Sequence, residues 1–310
     1  MNYVFILAGF TILILGGNWL LKAAVSLSMR LEIPKIVIGM TVVSFATSAP
    51  ELVVSLKSAL NGHADIALGN VIGSNIANLG LVLAIVIMIG TIKVKKSFYI
   101  TDWPIMMVAS LMLYFFLAFD GEIQRWEGVV LFSMQIVVLV YLFKYQKVAV
   151  IDEEPEDDVK YSMGTSLFYL LLGGIGLWAG SELLIKGAVN LAIDFGISKR
   201  VIGITIISIG TSIPELAASI VAISRNEKAI SLGNLLGSNV FNVFTVLGIT
   251  AMVSPIQADD PRLLNYDLIW MLFFALSIFP LVFVLGRMKL SWGEGLVLLG
   301  SYIIFITLVL

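Results

Sequence analysis

The sequence predicts an all-α fold: a polytopic membrane protein of ten transmembrane helices, arranged as two inverted repeats of five. Three observations carry that prediction. The 310 residues are 59% hydrophobic and 13% charged, with a mean hydropathy of +1.01, whereas a soluble domain is about 25% charged. Apolar runs of about 20 residues, the length a helix needs to cross a bilayer, recur along the whole chain. Finally, one stretch occurs twice. Residues Val37–Gly80 and Val201–Phe244 superimpose without a gap at an offset of 164, with 19 of 44 positions identical, the self-similarity expected of a duplicated unit.

Composition also excludes function classes. A net charge of -2 gives no footprint for nucleic acid, and with no cysteine there are neither disulfides nor thiolate metal sites. The N-terminal apolar run lacks a basic leader and a small-residue cleavage site, so it is read as a retained span.

Taken in order, the expected spans are 3–27, 34–59, 66–90, 103–119 and 127–145, then 163–191, 198–223, 229–253, 266–285 and 292–309. The first and sixth are related by the 164 offset, which pairs Gly16 with Gly180 and Lys22 with Lys186; both lysines sit near span ends, where lysine snorkels to the interface. The second and seventh carry ATSAPE and GTSIPE at mid-span, and the third and eighth carry GNVIGSN and GNLLGSN. The remaining four are plain apolar runs. Between the fifth and sixth lies the acidic stretch IDEEPEDDVK, residues 151–160. The domain organisation is therefore a first half of five helices (1–145), a cytoplasmic linker (146–162) read as a solvated tether, and a second half (163–310).

Five spans precede the second copy, so that copy enters the membrane from the opposite side. This is the inverted repeat of many transporters. Twelve basic loop residues fall on one side, among them Lys93, Lys95, Lys96 and Lys289, and five on the other, among them Lys57, Arg125 and Arg262. The positive-inside rule then places both termini on the extracytoplasmic side of the cell membrane.

Each copy sets a glutamate, Glu51 or Glu215, in an apolar run directly after a proline. Proline has no N–H and clashes with the carbonyl four residues earlier, so it frees backbone carbonyls beside each carboxylate. Broken backbone is tolerated in lipid only where protein or a water-filled cavity satisfies it, so the second, third, seventh and eighth spans should pack at the centre. A carboxylate at mid-bilayer costs at least about 2.5 kcal/mol. With no Lys or Arg in the motif cores, the remedy is a bound cation or a proton. The accompanying groups are Thr and Ser hydroxyls, Asn side-chain oxygens and freed carbonyls. These hard oxygens suit Ca²⁺ and Na⁺; Zn²⁺ or Cu²⁺ would recruit nitrogen or sulfur, and the one histidine, His63, is read as an ordinary loop residue. Taken singly, Ser55, Ser219, Asn70 and Asn234 read as helix-packing residues. Asn78 and Asn242 fall one turn after Ser74 and Ser238, on the same face, and are read as lining the ion site.

At these residues the sequence resembles the cation/calcium exchanger superfamily, and in particular its prokaryotic sodium/calcium exchanger-like members. Two copies of G-T-S-x-P-E and G-N-x-x-G-S-N at a fixed offset carry the resemblance, which covers essentially the whole chain. It implies that Glu51 and Glu215 bind Ca²⁺, with carbonyls from Thr47 and Thr211. It further implies flanking Na⁺ sites from Ser48, Ser74, Ser212 and Ser238 with carbonyls near Ser44 and Ser208, and a first and sixth span that slide to alternate access. Two departures stand out: Ala46 replaces the glycine found at Gly210, and Asn78 and Asn242 are both amides where some relatives have one aspartate.

The expected function is secondary active antiport, exporting Ca²⁺ in exchange for Na⁺. The same fold run by H⁺ is the alternative, and a passive cation channel is the reading from another class. No cofactor, nucleic-acid partner or obligate protein partner is expected, and no nucleophile accompanies the carboxylates to make an intramembrane enzyme. The ligands are Ca²⁺, a counter-transported monovalent cation and the bilayer.

Overall fold

The computed structural model describes residues 2–145, 161–195, 210–258, 260–285 and 288–309. The acidic stretch 151–160, Ser208 and the first part of the seventh predicted span lie outside the described residues.

The described chain is a polytopic helical membrane protein. Its helices are α1 (Asn2–Leu31), α2 (Lys35–Leu60), α3 (Ile66–Ile89), α4 (Phe98–Asp120), α5 (Arg125–Lys144), α6 (Met163–Asp194), the shorter α7 (Ile213–Ser224), α8 (Lys228–Val253), α9 (Leu263–Phe283) and α10 (Trp292–Val309). Among the described residues, all but α7 are long and apolar enough to cross a membrane. Of the most apolar window in each, 83% of residues are buried for α8 and 72% for α3, against 28% for α5, α6 and α10. The two helices that carry the G-N-x-x-G-S-N motifs, α3 and α8, are thus the most buried of these spans.

Two compact units divide the chain, and neither coincides with a sequence half. One comprises 1–47, 143–234 and 310; the other comprises 48–142 and 235–309. The boundary falls inside α2, between Thr47 and Ser48, inside α5, between Leu142 and Phe143, and inside α8, between Asn234 and Leu235.

In the first unit, α1 packs on α6 through glycines. A Cβ on Gly9 would meet Leu184 N at 2.7 Å and Gly180 O at 2.8 Å; one on Gly173 would meet Leu20 N at 2.6 Å and Gly16 O at 2.9 Å. Residues 9 and 173 are equivalents under the 164 offset, as are 16 and 180. Gly9 faces Gly180 while Gly16 faces Gly173, so the two equivalent helices run antiparallel with reciprocal contacts. Small residues permit this close approach, which dispersion and backbone contact stabilise in the absence of a hydrophobic driving force. Leu20, Leu21, Ala24, Ile38, Val43, Leu177, Val221 and Ile230 form the core of this unit.

In the second unit, α3 lies against α9 and α10: Gly80 meets the rings of Phe274 and Tyr302, and Gly295 sits against Ala84 O. Gly128 sits likewise against Gly248 O, and residue 248 is the equivalent of 84. Two short antiparallel ribbons close the helix ends. Strand β1 (Ile92–Lys93) pairs with β4 (Lys289–Leu290), and β2 (Glu122–Ile123) pairs with β3 (Ile256–Gln257). Helices α5 and α10 start alike: Glu127 Oε2 accepts from Gln124 N, and Glu294 Oε2 from Ser291 N, both at 2.8 Å. Each carboxylate satisfies one of the orphan amides that a helix start exposes.

Several helices carry a wide π-turn. In α3 it spans Asn78–Val82 and in α8 Asn242–Leu247, equivalent places in the repeat that begin at the two asparagines the sequence singles out. Such bulges in α-helices concentrate at functional sites. A third, Gly39–Val43, lies just ahead of Ser44 in α2.

Candidate functional site

The two prolines act differently. In α2 the helix continues through Pro50, leaving the carbonyl of Ala46 without its amide partner. In the second copy Thr211 and Ser212 form a turn, and α7 begins at Ile213 with Pro214 in its first turn and Glu215 directly after. Glu215 therefore stands at a helix N-terminus, where the macrodipole favours negative charge. The carbonyl that Pro214 releases is that of Gly210, and Ser181 Oγ of α6 donates to it at 3.1 Å.

The first unit contains Ser44, Thr47, Thr211, Ser212 and Glu215. Ser44 Oγ donates to Met40 O at 2.7 Å, and Thr47 Oγ1 donates to Asn234 Oδ1 at 3.1 Å. The amide of Asn234 donates in turn to Ser219 Oγ at 3.2 Å, and Ser231 Oγ to Ser219 O at 3.1 Å. Glu215 is 0% exposed and Ser212 1%. Ser212 Oγ has no hydrogen-bond partner among the described residues.

The second unit holds Ser48, Glu51, Ser74, Asn78, Ser238 and Asn242. Glu51, Asn78 and Asn242 are all 0% exposed. Asn70 Nδ2 donates to Ser55 Oγ at 3.1 Å, the equivalent of the Asn234–Ser219 bond in the first unit. Asn75 Nδ2 donates to Asn239 O at 3.3 Å, and Asn242 Nδ2 donates to Asn75 Oδ1 at 3.1 Å. That chain fixes the Asn242 amide so that its Oδ1 is left over. Among the described residues this oxygen has no partner, nor has either polar atom of Asn78.

A buried polar atom left unmatched costs about 1–3 kcal/mol, and such atoms in native proteins mark a water, an ion or a functional group. Each unit thus carries one fully buried carboxylate, together with buried hydroxyl and amide side chains from the same motifs. That donor set suits a hard cation held by oxygen ligands.

The repeated motifs set these side chains on helices expected at the centre, and Asn75 and Asn239 are the asparagines of the two GSN elements. The structure shows them joining α3 to α8. Their duplication within the GSN elements was the available signal. Ser181 carried none, since its equivalent in the first half is Gly17. Lys186, expected to snorkel, sets its ammonium 5.1 Å from the centre of the Phe5 ring.

Comparison with known proteins gives a consistent set of likenesses. The family model described as sodium/calcium exchanger protein matches residues 1–144 and 165–310. The inner membrane protein YrbG of Escherichia coli is 30% identical over 98% of this chain and 95% of its own length. The sodium/calcium exchanger MaX1 of Methanosarcina acetivorans is 26% identical over 99% of this chain and 97% of its own. Among solved structures, the sodium/calcium exchanger from Methanococcus jannaschii matches with a TM-score of 0.83 and 28% identity, covering 99% of this chain and 97% of that one.

Proposed function

Since this chain belongs to the sodium/calcium exchanger family, whose model it matches over residues 1–144 and 165–310, we propose that it expels Ca²⁺ from the cell at the expense of an inward Na⁺ gradient. It is a membrane transporter and not an enzyme, a cation/Ca²⁺ exchanger by family. Na⁺ as the counter-ion, export as the direction and the residues that hold the ions are our reading. The observation that carries it is the pair of equivalent glutamates, Glu51 and Glu215, each wholly buried.

Two carboxylates neutralise one Ca²⁺, which removes most of the cost of burying either charge. In this reading Thr47 and Thr211 add backbone carbonyls. The hydroxyls of Ser48, Ser74, Ser212 and Ser238 bind Na⁺ on either side, with carbonyls near Ser44 and Ser208, and Asn78 and Asn242 line the site. Na⁺ and Ca²⁺ compete for the same two negative charges, so occupancy by one excludes the other and the protein cycles without leak. The glycine-lined contact of α1 with α6 leaves no slack between them, and we take these helices to move as one rigid pair when access alternates. The linker side of the membrane is then cytoplasmic and the termini lie outside.

Protons as the counter-ion form the second reading, favoured by one observation: Asn78 and Asn242 are both amides, so the motifs supply only two carboxylates. Two H⁺ for one Ca²⁺ would move no net charge, whereas three Na⁺ would. The test uses purified protein in liposomes loaded with Na⁺, diluted into Na⁺-free medium containing radioactive Ca²⁺. Uptake that requires internal Na⁺ and survives a proton ionophore is expected, and it should vanish in Glu51→Gln and Glu215→Gln. Uptake that ignores Na⁺ but follows an imposed pH gradient would transfer the assignment to protons. Full exchange in either glutamine variant would remove that glutamate's role and with it the paired-carboxylate site.

A further inference from the structure

Residues Lys93 and Lys289 are directly paired in the β1–β4 ribbon, and Ile92 pairs with Leu290 beside them. Ile92 and Leu290 are buried, so the two lysines share the outer face of the ribbon, with Lys95 and Lys96 exposed immediately after. Like charges directly opposite one another on an antiparallel pair are destabilising. Among the described residues no carboxylate lies within ion-pair distance of Lys93, Lys96 or Lys289. Glu294 is committed to Ser291, accepting from its amide at 2.8 Å and its hydroxyl at 2.7 Å.

The second ribbon shows what the fold does with the same positions. There Glu122 pairs with Gln257, and Gln257 Nε2 donates to Glu122 Oε2 at 3.3 Å. That ribbon is flanked by the carboxylates of Asp120 and Asp260. The two ribbons sit at opposite ends of α4, a helix of 23 residues and therefore about 34 Å long. One end of this unit is thus closed by a hydrogen-bonded Glu–Gln ribbon, and the other by a ribbon whose lysines are directly opposed, with the Glu294 carboxylate acting on Lys289 from beyond ion-pair distance.

The lysine ribbon also sits at a membrane–water boundary. It lies between the ends of α3 and α9 and the starts of α4 and α10. Aromatic pairs join the two helices that flank it, α4 and α9: Tyr99 on Phe283 at 5.4 Å, and Trp103 on Phe279 at 4.8 Å. Aromatic residues of this kind mark headgroup depth, and the excess of lysine marks the cytoplasmic leaflet, where the anionic lipids reside.

We propose that Lys93 and Lys289, with Lys95 and Lys96 beside them, form a binding site for the phosphate headgroup of an acidic phospholipid. The phosphate relieves the Lys–Lys opposition, and the surrounding aromatic rings seat the glycerol and acyl region. The proposal is independent of which ion the exchanger couples to, because its test reads lipid and not transport.

The experiment reconstitutes the full chain into vesicles of phosphatidylcholine mixed with spin-labelled phosphatidylglycerol and measures the motionally restricted lipid. Each lysine changed to glutamine should weaken retention about fivefold, the effect of one cationic side chain near an anionic surface. Lys93→Gln with Lys289→Gln should then lose about thirtyfold, while Lys93→Arg with Lys289→Arg should retain the lipid and report an intact ribbon. Retention by the glutamine pair equal to that of the unmodified chain would overturn the site. So would displacement of the lipid by millimolar inorganic phosphate, since it would identify free phosphate as the occupant.

Discussion

Ser181 donates its hydroxyl to the carbonyl of Gly210 at 3.1 Å, and Gly210 is the residue four before Pro214. The proline that sets Glu215 at the start of a helix thus creates an acceptor, and a neighbouring helix satisfies it. Replacing Ser181 by alanine should leave a buried carbonyl unmatched and cost about 1–3 kcal/mol, visible as a lower thermal midpoint in detergent. Ser181→Thr keeps the hydroxyl and should restore it. Equal midpoints for the alanine and native proteins would show that the carbonyl finds water.

Asn75 plays the matching part in the other unit. It bonds Asn239 O at 3.3 Å and receives the amide of Asn242 at 3.1 Å. Asn75→Ala should let the Asn242 amide rotate and spread its oxygen over several orientations. If Asn242 lines the ion site as proposed, the expected result is a rise in the KM for Ca²⁺ with little loss of maximal rate. A fall in maximal rate at unchanged KM would contradict that role.

Much of this arrangement was legible in the sequence, and the reasons are physical. A duplicated carboxylate in an apolar run has few structural uses, so Glu51 and Glu215 stood out, and the spans followed from hydropathy because lipid permits almost no other backbone. What escaped were contacts that depend on how helices cross. The link from Asn75 to Asn239 joins helices far apart in sequence. The two ribbons are built on strands of two residues each, too short to show alternation. The likeness of Glu127 to Glu294 was hidden because the offset has grown from 164 to 167 by the end of the chain, and the π-turns at Asn78 and Asn242 follow from no local residue pattern. Ser208 and the linker 151–160 lie outside the described residues.

Ser212 and Asn78 invite a separation of stability from transport. Ser212 Oγ and both polar atoms of Asn78 lack hydrogen-bond partners among the described residues. Removing such atoms forfeits no protein hydrogen bond and ends a desolvation cost. Ser212→Ala and Asn78→Leu should therefore melt at or above the native temperature in ion-free detergent. Both should also lose Na⁺-driven Ca²⁺ uptake, the trade expected where a site is built for a ligand and not for the fold. A lower melting temperature in ion-free buffer would mean that these side chains hold structure instead.

The α1–α6 contact makes a sharper demand. A Cβ on Gly173 would come within 2.6 Å of Leu20 N and 2.9 Å of Gly16 O, and backbone cannot step aside as a side chain can. Gly173→Ala should push the helices apart at a cost of about 1–3 kcal/mol. Gly174→Ala is the control, since its Cβ would meet only Ala46, at 3.6 Å or more. Thermal melts of the two variants should differ by that amount; equal melts would mean that α1 and α6 are not held by this contact.

The ion pair of Lys35 with Glu227 supplies the last prediction. Lys35 Nζ lies 2.7 Å from Glu227 Oε1, with the side chains 21% and 13% exposed. It ties the start of α2 to the turn between α7 and α8. The repeat does not reproduce it: position 227 corresponds to His63 in the first copy, so the acid was never duplicated although Lys35 has its counterpart in Lys199. Nothing in the pattern of either copy demands the pair, and its worth is set by its partial exposure. A double-mutant cycle with Lys35→Ala and Glu227→Ala should give a coupling of about 1 kcal/mol at low salt. Raising the ionic strength should shrink it, because partly exposed charges are screened. A coupling that ignored salt would mean that the pair is drier than its exposure indicates. No coupling at all would mean that the turn is held by its neighbours alone.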